Sequence, residues 1–153
     1  MSGGFDLTKI GAGTLSLSGT NSFNNLVVNV GQVSVSGGNA IADTSSVTLA
    51  AATALNVGAN ETIASVTGAG TVNLNAGTLT IGAGPAGFTL NSTLSGAGNI
   101  TYNKAGQVIA VSGANNYTGA TAITAGTVQL QNATALGTAA GNTAVSAGAA
   151  VAE

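Results

Sequence analysis

Apolar and polar residues alternate with period two along most of the chain. The clearest runs are "TLSLS" (14–18), "QVSVS" (32–36), "SVTLA" (46–50), "TVNLN" (71–75), "TLTI" (78–81), "NITYN" (99–103) and "TVQLQ" (127–131). In an extended strand successive side chains leave opposite faces, so Leu15 and Leu17 go one way while Ser16 and Ser18 go the other. Val and Thr suit such segments because a branched Cβ stiffens χ1 and fits the pleated surface. Glycine-rich breaks, roughly every 8–12 residues, turn the chain between them. No segment keeps a helical period, and Gly137, Gly141 and Gly148 interrupt the Ala-rich tail at 133–152. The pattern predicts an all-β chain.

Repetition narrows the architecture. "GAGTL" (11–15), "GAGTV" (68–72) and "GAGNI" (96–100) share one grammar, and "AGTLTI" (76–81) and "AGTVQL" (125–130) repeat half of it. On a longer scale "LSGTNSF" (17–23) matches "VSGANNY" (111–117). Tandem repeats, small uniform apolar residues, and Asn and Thr beside the turns favour a solenoid over a two-sheet sandwich. Stacked turns place like residues above one another, where Asn and Thr can hydrogen-bond in ladders. The expected fold is a right-handed parallel β-helix of roughly 5–7 coils, about 25–35 Å tall at the strand spacing. A single such solenoid covers 1–153.

Composition then removes most chemistry. The 153 residues include four acids (Asp6, Asp43, Glu61, Glu153) and two lysines (Lys9, Lys104), with no Arg, His or Cys. A net charge of −2 offers no basic patch to release counterions from nucleic acid or to hold anionic lipid. No run of about 18 apolar residues is present to form a membrane-spanning helix. Without histidine nothing obvious activates a serine, so the chain is expected not to be an enzyme and to have no small-molecule substrate. No His/Cys cluster or Asp-rich loop calls for a metal, and no cofactor is expected.

The remaining charged and unusual residues have plain readings. Asp6 and Lys9 are expected to form an exposed ion pair worth under about 1 kcal/mol, and Lys104 sits, like Lys9, beside a repeat start. "GAGPAGF" (82–88) lacks the Lys-Ser/Thr of a phosphate-cradling loop, and Pro85 is expected at a corner or edge. Only "TLT" (78–80) has the Thr-x-Thr form of an ice-ordering face. Asn-x-Ser/Thr occurs at Asn60, Asn91, Asn99, Asn116 and Asn132, as expected by chance in so Asn- and Thr-rich a chain. "MSGGFDLTKIG" lacks the apolar centre of a signal peptide, so the chain is expected to be a piece of something longer.

"VSGANNYTGATAITAGTVQLQNATALG" (111–137) resembles the autotransporter-associated β-strand repeat, also called the passenger-associated transport repeat. Gly113, Asn115, Tyr117, Gly119, Thr121, Ile123, Gly126, Val128 and Leu130 carry the likeness. An earlier copy keeps Gly13, Leu15, Leu17, Gly19, Asn21, Phe23, Gly31, Val33 and Val35, with "FNN" in place of the Tyr-Thr-Gly segment. The copies span approximately 11–36 and 104–131, and the middle of the chain keeps only scraps. The resemblance implies a stretch of extracellular β-helix from a secreted type V passenger, at the cell surface or beyond it. The translocator barrel of that family is not in this sequence.

Gly13, Gly19, Gly113, Gly119 and Gly126 are the expected turn formers, with Asn21 and Asn115 at matching turns, because glycine and, less readily, asparagine accept positive φ. Phe23 and Tyr117 share one repeat position and are expected to fill a corner of the core rather than to stack on sugars. The function expected is a structural stalk that aids its own secretion by folding progressively. Two alternatives remain: an adhesin that recognises a host-surface or glycan ligand, and a fibre subunit that self-associates through exposed solenoid ends lacking obvious charged caps.

Overall fold

The computed structural model describes residues 3–82, 84 and 86–153. Pro85 lies outside them. The chain winds as a three-sided ribbon of parallel strands. The first turn holds β1 (Leu7–Lys9) and β2 (Thr14–Ser18), and the second holds β3 (Asn25–Val28) and β4 (Gln32–Ser36). The third adds a strand on the remaining side: β5 (Ser46–Leu49), β6 (Ala54–Val57) and β7 (Glu61–Ile63). β8 (Ser65–Thr67), β9 (Thr71–Leu74) and β10 (Thr78–Ile81) repeat that order. Next come β11 (Phe88–Leu90), β12 (Thr93–Gly96) and the long β13 (Asn99–Val111), which rounds a corner. β14 (Thr121–Leu130) follows the same corner, and β15 (Thr143–Val145) and β16 (Ala150–Ala152) end the stack.

Every strand pairs in parallel with the strand one turn away. One sheet runs β1-β3-β5-β8, a second β2-β4-β6-β9-β12, and the third is built on β7-β10-β13-β14-β15. Since β13 and β14 serve two sides, β11 and β16 attach to them and continue the first side. The fold is the expected β-solenoid, of about 7 turns.

Register makes the core. Leu15, Val33, Leu55, Val72 and Leu94 stand in one inward column, and Ile63, Ile81, Tyr102, Ile123 and Val145 in another. Inward positions alternate with half-exposed ones in every central strand, which is the period of two written in the sequence. The stretch 37–97, which resembles the repeat least, winds as regularly as the rest. A slot needs only an apolar side chain of about the right size, so the letters drift while the geometry holds.

Outward polar residues form the expected ladders. On the second side Asn56 Nδ2 donates to Gln32 Oε1 at 2.9 Å and Asn73 Nδ2 to Asn56 Oδ1 at 2.6 Å. Ser95 Oγ closes the row on Asn73 Oδ1 at 2.7 Å. Threonines 62, 80 and 101 stack on the third side, but Ala122 and Ala144 follow them, so no even Thr lattice forms.

Candidate functional site

The residues that set one turn upon the next are the candidate site. Asn21 and Asn115 are buried, and neither has positive φ: among the described residues Ala52 is the only non-glycine with it. The expected reason for these asparagines is therefore wrong. Asn115 Oδ1 accepts from Leu94 N–H at 2.8 Å on one neighbouring turn, and its Nδ2 donates to Ala135 O at 2.7 Å on the other. Asn21 Nδ2 donates to Ala40 O at 2.9 Å and to Ser18 O at 3.3 Å. Each amide adds to the backbone bonds between turns by taking up a main-chain group of an adjoining turn, which removes the cost of burying that group unpaired.

The five glycines divide by cause. Gly19 and Gly126 have φ of +66° and +82°, as a turn former should. Gly126 stands opposite the whole segment Lys104–Gln107, because Asn103 pairs with Ala125 while Val108 pairs with Thr127. Gly113 and Gly119 have no positive φ and are needed for closeness: a Cβ would lie 2.2 Å from Ser92 O at the first and 2.1 Å from Gly98 O at the second. Gly13 meets neither condition, since a Cβ there finds nothing within 4 Å. Its carbonyl accepts Gln32 N–H at 3.2 Å, and the tight neighbour is Gly31 on the next turn.

Phe23 and Tyr117 are 2% and 0% exposed, so neither ring offers a face to a sugar. Tyr117 hydroxyl and Thr121 Oγ1 share a hydrogen bond of 2.5 Å within the core. Tyr102, also fully buried, has a hydroxyl with no partner. Burial raises the pKa of both phenols, most of all Tyr102.

Both lysines depart from expectation. Lys9 points inward from β1, and its Nζ donates to Ile10 O at 3.2 Å, Gly11 O at 2.5 Å and Val30 O at 3.2 Å. Asp6 instead accepts from Asn25 Nδ2 at 2.9 Å, so the exposed ion pair does not form. Lys104 is buried at a different corner, where β13 bends, and does not match Lys9 in place. Its Nζ reaches Ala64 O at 2.9 Å, two turns away, and Gly84 O at 3.3 Å, beside the Phe88 ring. Burial lowers its pKa. A small hollow lined by Thr44, Ser46, Ala64, Phe88 and Lys104 opens at this corner.

Glu61 is the residue that sequence reasoning passed over. It is 2% exposed, and its carboxylate accepts Ala40 N–H at 3.0 Å and Ile41 N–H at 3.3 Å on the preceding turn. Desolvation pushes its pKa up to about 7, against the pull of those N–H donors and with a small push from Asp43. A folded-state value above the unfolded 4.5 means that the folded chain holds the proton more tightly. The contribution is complete below about pH 4.5 and lost as pH rises toward 7. The melting temperature should therefore fall between pH 5 and pH 8, and Glu61→Gln should flatten that slope in thermal scans.

Among the described residues no three metal-ligating side chains gather. The sequon asparagines Asn60, Asn91 and Asn99 use their side-chain oxygens to accept N–H groups of Thr78, Gly68 and Ala120 on adjoining turns. The arrangement is a set of inter-turn clamps. No curated protein and no solved structure matches the chain. Residues 7–39 and 109–130 match the family model of the passenger-associated-transport-repeat, and the two matched segments carry the paired asparagines and aromatic rings.

Proposed function

We infer that the chain is a structural segment of an autotransporter passenger, exported to the cell surface or the extracellular space. The repeat matches and the β-solenoid support this reading. Its finer content is a stalk whose turn-by-turn folding helps to draw the passenger out. One observation carries that content: hydrogen bonds between adjoining turns join residues 17 to 24 apart, so each turn closes only on one already formed. A chain of this kind can cross a pore extended and gain its ladder stepwise outside. The sparse charge and the absence of histidine and cysteine fit a role without catalysis or cofactor.

The test places the chain upstream of a translocator barrel in a Gram-negative host and follows surface exposure by protease shaving. The unaltered chain should reach the surface, and Gly119→Val, which blocks closure of one turn, should leave more passenger in the periplasm. Equal display of the two would defeat progressive folding as the aid to export. Failure of the unaltered chain to appear would defeat the passenger reading itself.

A further inference from the structure

Side-chain hydrogen bonds between adjoining turns span the length of one turn, such as 17 residues from Asn56 to Asn73 and 24 from Gln32 to Asn56. Lys104 reaches further. Its Nζ donates to Gly84 O at 3.3 Å, 20 residues earlier, and to Ala64 O at 2.9 Å, 40 residues earlier. Ala64 follows β7, Gly84 follows β10 and Lys104 lies in β13, three strands that stand next to one another in the third sheet. One ammonium therefore ties its own turn to the two before it.

The reach follows from the bend in β13. Register with β14 shifts between Asn103 and Val108, and there Lys104 turns inward, 3% exposed, while Ala105 and Gly106 face solvent. The bend is fixed from both neighbouring turns. Gln107 Oε1 accepts Gly87 N–H at 3.1 Å, one turn earlier. One turn later, a Cβ at Gly126 would lie 2.1 Å from Lys104 O and 2.9 Å from Gln107 O, so the backbone there rests directly on the bend. The Phe88 ring, with its centroid 5.8 Å from Nζ, flanks the ammonium. Ala64 is itself 5% exposed, so little water can replace the lysine at its carbonyl.

If the turn of Lys104 lifts away, Ala64 O loses this donor while the turn between still covers it, and a buried acceptor deprived of its donor is costly. The opening of one turn is therefore felt two turns back, beyond the nearest-neighbour contacts that otherwise govern a solenoid. Lys9 shows the contrast: its Nζ bonds to Ile10 O and Gly11 O at its own corner and to Val30 O one turn on. We propose that Lys104 clasps the turns of β7, β10 and β13 into one unit that opens and closes together, set in a stack whose other turns open singly. Folding then proceeds by single turns elsewhere and by one three-turn step here. The inference concerns the folded chain by itself and is independent of the export reading.

Hydrogen exchange of the 153-residue chain at low urea concentrations, read amide by amide by NMR, tests it. The slowest amides of β7, β10 and β13 should share one opening free energy and one urea dependence, distinct from those of β3 and β5. Lys104→Met keeps an apolar stem and removes the donors, and β13 should then exchange about tenfold or more faster than β7. Lys9→Met should quicken β1 and β3 and leave the three clasped strands equal. Far-UV circular dichroism checks that each variant is folded, and if Lys104→Met is not, the unaltered chain alone decides. Unequal opening of the three strands in the unaltered chain, one opening shared by the whole chain, or strands that stay equal in Lys104→Met would overturn the proposal.

Discussion

Gly119→Ala should destabilise the chain by about 3 kcal/mol, at the upper end of what overpacking costs. The new Cβ would lie 2.1 Å from Gly98 O, 2.5 Å from Gly98 C and 2.8 Å from Ala97 O. All three are backbone atoms, and the turn that carries them cannot step aside. Thr118 N–H is bonded to Gly96 O at 2.9 Å, and Ala120 N–H to Asn99 Oδ1 at 2.8 Å, so both flanks of Gly119 are tied to the preceding turn. The same contact recurs along the stack: a Cβ on Gly98 would lie 2.5 Å from Gly77 O, and one on Gly141 2.1 Å from Gly119 O. Relief at one level would therefore press on the next.

Two other glycines calibrate the result in urea denaturation. Gly13→Ala meets open space without positive φ and should change stability by less than about 0.5 kcal/mol. Gly19→Ala meets open space but must hold φ near +66°, which costs about 1–2 kcal/mol for a residue with a Cβ. The order Gly119, Gly19, Gly13 separates collision from backbone conformation. Equal losses at all three would show that turn glycines act through one shared cause.

Strands and turns were legible because alternation and glycine punctuation are local. The solenoid was legible because like segments recur in tandem. What the sequence concealed depends on groups a full turn away. Nothing near Glu61 marks it as buried; the N–H groups of Ala40 and Ile41, which lie on the turn before, make the site. Lys104 likewise takes its place from Ala64, 40 residues earlier. Local reading gave Lys9 the nearest acid as a partner, whereas folding brought it three carbonyls. The asparagines lie between strands without positive φ, and the bonds that explain them become visible only once the neighbouring turns are in place. The bend at Lys104–Gln107 shows as one extra stretch of β13 only when β14 lies against it.

Tyr117→Ala should cost about 3–5 kcal/mol, the range for removing a large buried ring. Tyr117 is fully buried and roofed by the backbone of Gly137, where a Cβ would come within 2.9 Å of Tyr117 Cζ. Thr138 N–H bonds to Tyr117 O at 3.0 Å, so the turn above rests on both the ring and its own main chain. Truncation opens a cavity that this bonded backbone can only partly fill, and it leaves buried Thr121 without its hydroxyl partner. Tyr117→Phe removes only the hydrogen bond and should cost about 1 kcal/mol. Tyr102→Phe is the reverse case: its hydroxyl is buried without a partner, and losing it should raise stability by about 1 kcal/mol. In a solenoid each turn touches only its neighbours, so the Tyr117→Ala loss should stay local. Hydrogen exchange should quicken in β14 and in β13, β15 and β16 against it, while β3–β6 keep their protection. Quickening of exchange throughout the chain would mean that the turns fold as one cooperative block. The stepwise closure on which the export role depends would then have no physical basis.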